Sequence, residues 1–180
     1  MRKWNFKRRA RQQERKRKEF VSYPMIKHAV LVFESVDEKQ DQVYHDIIRQ
    51  LKTDGINVKA FAYMEKSKNT IYQHDDITIL EKKQIGCMCV PEEKILQQLK
   101  NTACDVLFDF TMRTVLPLQY VVLYVDAKCR VGVKCDKLLK PDFMIESTEK
   151  NCKGFSLNKE DLKFLFNQML FYLKTIRTTL

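Results

Sequence analysis

HAVLVFESVDEKQDQVYHDIIRQLKTDGINVKAFAYM, residues 28–64, decides the fold. Its first seven residues, His28–Glu34, are an apolar run of strand length without polar alternation, the pattern of a central strand buried on both faces. Ser35 and Glu38 have the spacing of a capping box, and Val43, Ile47, Ile48 and Leu51 then recur at the helical period. Asp54-Gly55 stops the helix, because glycine takes the left-handed conformation of a helix end at little cost. Ile56–Met64 resumes strand character. Strand, helix and strand joined this tightly predict a parallel βαβ unit with a right-handed crossover.

Outward from that unit, residues 65–76 are polar and aperiodic and predict a loop, and Ile77–Leu80 a short edge strand. Gln84–Val90 (QIGCMCV) reads as a third main strand, and Pro91, Glu92 and Glu93 as the opening of a helix through Leu99. Cys104–Phe110 gives a further strand, Pro117 starts a helix through Leu118, Val121, Val122 and Val125, Cys129–Val133 is another strand, and Asp142–Glu146 would add one more. Asn158 is placed to cap a last helix whose Leu162, Leu165, Phe166, Met169, Leu170, Leu173 and Ile176 form a wide apolar stripe, the mark of core packing. Strands alternating with helices predict an α/β domain over residues 22–180: an open, mainly parallel, five- to six-stranded sheet with helices on both faces, Rossmann-like. At 180 residues the chain suits one compact domain.

The charge is unevenly placed. Residues 1–20 carry ten Lys or Arg against Glu14 and Glu19, which is +8 of the net +10, so the rest of the chain is nearly neutral. This basic arm, residues 1–21, has no glycine or proline and is rich in helix formers, so it is helical or, where ten like charges repel, disordered. It offers little periodic apolar surface, and the body is expected to fold without it. The segment lacks the apolar stretch of a secretory signal and the serine of a mitochondrial presequence, and no run reaches the length of a membrane helix, so the cytoplasm is the expected compartment.

A dinucleotide site needs glycines in the first strand-to-helix turn, where the backbone must close on a pyrophosphate. Here that turn is Phe33-Glu34-Ser35-Val36-Asp37, with no glycine and two acids that repel phosphate. No Walker A run, nucleophile elbow or HExxH is present, and no cofactor is expected. In an open sheet the place to look for a small-molecule site is beyond the carboxyl ends of the strands at the switch point, which gathers Glu34 and Ser35 with Asp109, Thr111, Met112 and Arg113. Helix caps and surface ion pairs explain the same residues. His28, His45 and His74 sit beside no nucleophile in sequence. The six cysteines, Cys87, Cys89, Cys104, Cys129, Cys135 and Cys152, lack zinc spacing; Cys87 and Cys89 on a strand would point to opposite faces, so free thiols and no metal are expected.

The layout of a basic arm, a short α/β body with DVLFDF and KCRVGV, and a Phe/Leu-rich terminal helix resembles an uncharacterised family of small proteins from Bacteroidota. Residues 104–133 (CDVLFDFTMRTVLPLQYVVLYVDAKCRVGV) are similar to a stretch in the N-terminal half of heptosyltransferase-type glycosyltransferases, where a DVxxD strand leads through a helix to an AKxRxG strand. That second resemblance implies a Rossmann-like fold and, for the family it comes from, glycosyl transfer.

The arm carries the strongest functional signal. Arg2, Lys3, Lys7, Arg8, Arg9, Arg11, Arg15, Lys16, Arg17 and Lys18 suit phosphate, and Trp4, Phe6 and Phe20 offer faces on which an unstacked base can lie. The expected role is a non-enzymatic RNA- or ribosome-associated protein; a small-molecule site at Glu34, Ser35, Asp109 and Arg113 is the alternative, and a protein partner is compatible with either.

Overall fold

The computed structural model describes residues 1–12, 19–65, 75–146 and 159–175. Six strands, β1 (His28–Glu34), β2 (Asn57–Met64), β3 (Ile77–Glu81), β4 (Val106–Asp109), β5 (Cys129–Val133) and β6 (Phe143–Ile145), form one sheet in the order β3-β2-β1-β4-β5-β6. Every pairing is parallel. This is the doubly wound, Rossmann-like order, with its switch point between β1 and β4.

Consecutive strand residues point to opposite faces, so the apolar runs feed two cores at once. Ala29, Leu31 and Phe33 of β1 pack with α2 (Glu38–Thr53) and α5 (Lys159–Thr175), through Val43, Tyr44, Ile47, Ile48 and Leu51 of the first and Leu162, Phe166, Met169 and Leu173 of the second. Phe33 stacks on Tyr44 with ring centroids 3.8 Å apart. Val30 and Val32 of β1 pack on the other face with α3 (Glu93–Lys100), α4 (Leu116–Tyr124) and, unexpectedly, α1 (Arg2–Gln12).

The reason lies in α4. Its sequence, LPLQYVVLY, is apolar but for Gln119 and the tyrosine hydroxyls, and a helix of that kind must be covered on nearly every side. Pro117–Tyr124 are all buried. The sheet covers one flank of α4, and α1 lies against it as well: Phe6 is 1% exposed and meets Tyr120 edge to face at 5.0 Å, while Arg9 donates from Nη1 to the Tyr124 hydroxyl at 3.1 Å. The chain is tied down again where the Glu19 amide donates to the Lys128 carbonyl at 3.1 Å, and Val21 and Tyr23 then enter the core on the α2/α5 face. Residues 1–12 therefore complete a core that the sequence reading assigned to the body alone. Arg15, Lys16, Arg17 and Lys18 lie outside the described residues.

Three boundaries differ from expectation. Gln84–Val90 is not a strand: Lys82–Gln84 form a 3₁₀ turn, and residues 85–91 close a tight loop in which the Gly86 amide donates to the Val90 carbonyl and the Cys89 amide to the Gly86 carbonyl. The reason is chain length, since β3 already occupies the edge beside β2 and a parallel neighbour needs a crossover of a dozen residues or more, far beyond the three that separate Glu81 from Ile85. Cys87 and Cys89 consequently sit on this loop, the latter with φ 59°. Ser35 does not cap α2; Asp37 does, its carboxylate accepting from the Gln40 amide at 2.9 Å. Pro91 precedes the Glu92 cap of α3 instead of opening the helix. Asn158, His74, Cys152 and Ile176 lie outside the described residues.

Candidate nucleic-acid interface and the carboxyl-edge cluster

At the carboxyl edge of the sheet two of the sequence-predicted pairs form, Glu34 with Arg113 and Asp109 with Thr111, while Ser35 finds Asp41 and Met112 turns into the core. Glu34 ends β1 and receives Arg113 in a forked contact, with Nε at 3.1 and 3.2 Å from the two carboxylate oxygens and Nη2 at 2.7 Å from Oε1. Glu65 adds a longer contact to the same guanidinium at 3.5 Å. Hydrogen bonding to Glu34 raises the Arg113 pKa further above its ordinary value, so the group is a fixed cation. Ser35 donates its hydroxyl to Asp41 at 2.6 Å. Asp37 at the N-cap and Glu38 and Asp41 in the first turn fill the start of α2, the helix end that binds phosphate in dinucleotide folds, with negative charge.

Asp109, the last residue of β4, accepts from the Thr111 amide at 3.0 Å and the Thr111 hydroxyl at 2.6 Å on the same oxygen. Its other oxygen faces Lys137 Nζ at 2.9 Å, and the two side chains are only 2% and 0% exposed. Lys137 had no signal in the sequence: it lies in KCDKLLK, a stretch that reads as a solvated loop. Asp109 did carry one, because a carboxylate inside the apolar run VLFDF must find donors and a counter-charge when that run is buried. Met112 is buried in the α2/α5 core.

Gly132 on β5 pairs with Asp109, and a Cβ built there would stand 2.8 Å from the Asp109 carbonyl oxygen and 2.9 Å from Pro141 Cγ. Gly132→Ala is expected to cost about 1–3 kcal/mol, through strain at this crossing of backbones. Urea denaturation checks it; an unchanged midpoint would show that residues around Pro141 give way freely.

The amino edge of the sheet is held by Asp105, which accepts from the Lys27 and His28 amides at 2.9 Å each and pairs with Lys128 Nζ at 2.9 Å. Burial pushes its carboxyl up, but Lys128 and the two amides outweigh burial and hold it below the usual carboxylate range. His28 lies 3.7 Å from the same carboxylate. A recess of about 60 Å³ lined by Glu19, Phe20, Lys128, Cys129 and Asp142 opens nearby, well under the roughly 300–1,000 Å³ of metabolite sites. Among the described residues no three His, Cys, Asp or Glu gather as metal ligands, and no helix is long and apolar enough to cross a membrane.

On α1 the docked side and the free side are distinct. Phe6 and Ala10, one turn apart, face the core, whereas Trp4, Lys7, Arg8 and Arg11 follow the i, i+3, i+4, i+7 spacing of a single face and are all exposed. Arg2 and Lys3 are exposed beside them and Arg9 is half-buried. Trp4 is 65% exposed, and the Arg8 guanidinium stands 5.6 Å from its ring centroid. Phe20 is exposed too, but Phe6, the third aromatic read as a stacking face, is spent on the core.

No curated protein matches the chain. A family model described as a family of unknown function, DUF6913, matches residues 1–176. With its arm and its α/β body covered by that single match, the chain belongs to DUF6913.

Proposed function

We propose that the protein is a non-enzymatic RNA- or ribosome-associated protein that grips phosphates with the outward face of α1. The observation that carries this reading is the stripe Trp4, Lys7, Arg8 and Arg11 on a helix whose opposite side is fixed by Phe6. Arginine forks and lysine ammonium groups replace the counterions of phosphates, and an exposed indole supplies a face for an unstacked base. Docking makes the stripe a preformed surface, so less ordering entropy is lost on binding than with a free tail. The basic residues 15–18 lie a few positions further along the sequence, past Gln12, Gln13 and Glu14.

With about six to eight phosphate contacts, affinity is expected to fall with salt along a log–log slope of roughly −4 to −6, using the single-strand factor. Arg8→Ala or Arg11→Ala should each lower that slope by about one unit or less without changing sequence choice. Trp4→Ala should cost roughly 1–3 kcal/mol and leave the slope alone. Fluorescence anisotropy of the full chain with single-stranded and structured RNA across a salt series measures all three. Absent or salt-insensitive binding overturns the reading, as does undiminished binding by the Arg8→Ala/Arg11→Ala double variant.

A further inference from the structure

We infer that the RNA track does not end on α1 but crosses onto the C-terminus of α3 at Lys100, so that the interface is a composite of arm and body; this rests on the reading of α1 given above. Tyr124, the last residue of α4, forms the seam. Arg9 of α1 holds its hydroxyl at 3.1 Å, and Lys100 Nζ stands 5.3 Å from the centroid of the same ring. Two cations from elements 91 positions apart in sequence are thus gathered on one side chain whose own position is fixed by burial in α4.

Lys100 is exposed, and among the described residues no carboxylate forms an ion pair with it. It sits in the last turn of α3, where a cation also offsets the negative helix end. Lys128 differs: it is committed to Asp105. On α3 the carboxylate of Glu93 lies in the first turn and Lys100 in the last, so the C-terminal end of that helix is where it offers positive charge beside Tyr124. A phosphate chain lying along Lys7, Arg8 and Arg11 therefore has one further unneutralised cation ahead of it, on an element that does not belong to the arm.

The test is anisotropy with a labelled single-stranded RNA across a salt series, using the full chain and the variants Lys100→Gln, Lys100→Arg and Lys163→Gln. Lys163 lies on α5, on the opposite face of the sheet. Loss of one phosphate contact lowers the slope by about 0.7, which is about five-fold in affinity at 0.1 M salt relative to 1 M. Lys100→Gln should show that loss, Lys100→Arg should keep the wild-type slope, and Lys163→Gln should behave as wild type. Wild-type binding by Lys100→Gln, with Arg8→Ala still weakened, overturns the composite track and leaves the function of α1 standing. Equal losses in Lys100→Gln and Lys100→Arg overturn it as well, because charge would then not be what the position supplies. A full chain that binds no RNA removes both readings together.

Discussion

Lys137→Met is expected to destabilise the protein by about 3–5 kcal/mol, because it strands a carboxylate in the core. Asp109 and Lys137 are an ion pair with almost no contact with water, and Asp109 keeps only its two Thr111 donors once the ammonium is gone. For a chain of this size that loss corresponds to a fall in Tm of roughly 6–20 °C. Asp109→Asn in the same background should recover part of it, since a neutral amide does not need the missing charge. A double-mutant cycle read by urea denaturation gives the coupling, and a Lys137→Met variant within 1 kcal/mol of wild type would falsify the claim that the pair is buried. The cost falls on the carboxyl edge of the sheet, where Lys137 joins the loop after β5 to the end of β4.

Phe6→Ala should be nearly as costly, about 3–5 kcal/mol, since it removes a fully buried ring and leaves a cavity against Tyr120. Trp4→Ala, two residues away but exposed, should stay within about 0.5 kcal/mol. Deletion of residues 2–12 should do more than the single substitution. It uncovers the outer side of the buried α4, so the shortened chain should melt more than about 8 °C lower and aggregate on heating. Coincident melts of the full and shortened chains would instead mean that α1 lies on the body without stabilising it. The pair of substitutions separates the two sides of one helix: Phe6→Ala acts on stability, Trp4→Ala on RNA.

How much of this was legible depends on whether a residue's role is local. β1, α2 and β2 could be read almost to the residue, since an unbroken apolar run, a 3.6-residue period and a glycine at φ 81° each leave a local trace. Gln84–Val90 was misread because its composition suits a strand, and only counting the residues back to β3 excludes a parallel neighbour. The docking of α1 was legible in principle in LPLQYVVLY rather than in the arm itself: a helix whose residues are nearly all apolar demands a second cover, and Phe6 with Ala10 is an apolar pair at helical spacing that the arm offers. At the carboxyl edge, topology and the alternative of caps and ion pairs anticipate the contacts of Glu34 with Arg113 and of Asp109 with Thr111, whereas Lys137 and Glu65 join them from loops whose approach no spacing encodes.

The packing of α1 on α4 also sets an order of events during synthesis. Arg9 and Tyr124 are 115 positions apart, so α1 leaves the ribosome with its docking surface not yet made. At about 5–20 residues per second, roughly 6–23 s pass before α4 is complete. Over that interval Phe6 has no core to enter, and its ring and the basic residues around it are available together to whatever lies near the exit site. Closure of α1 over α4 thus cannot precede the synthesis of Tyr124, although β5, β6 and α5 are still to come, and it divides the life of the arm into two periods: one in which Phe6 is open to solvent, and one in which only the outward stripe remains.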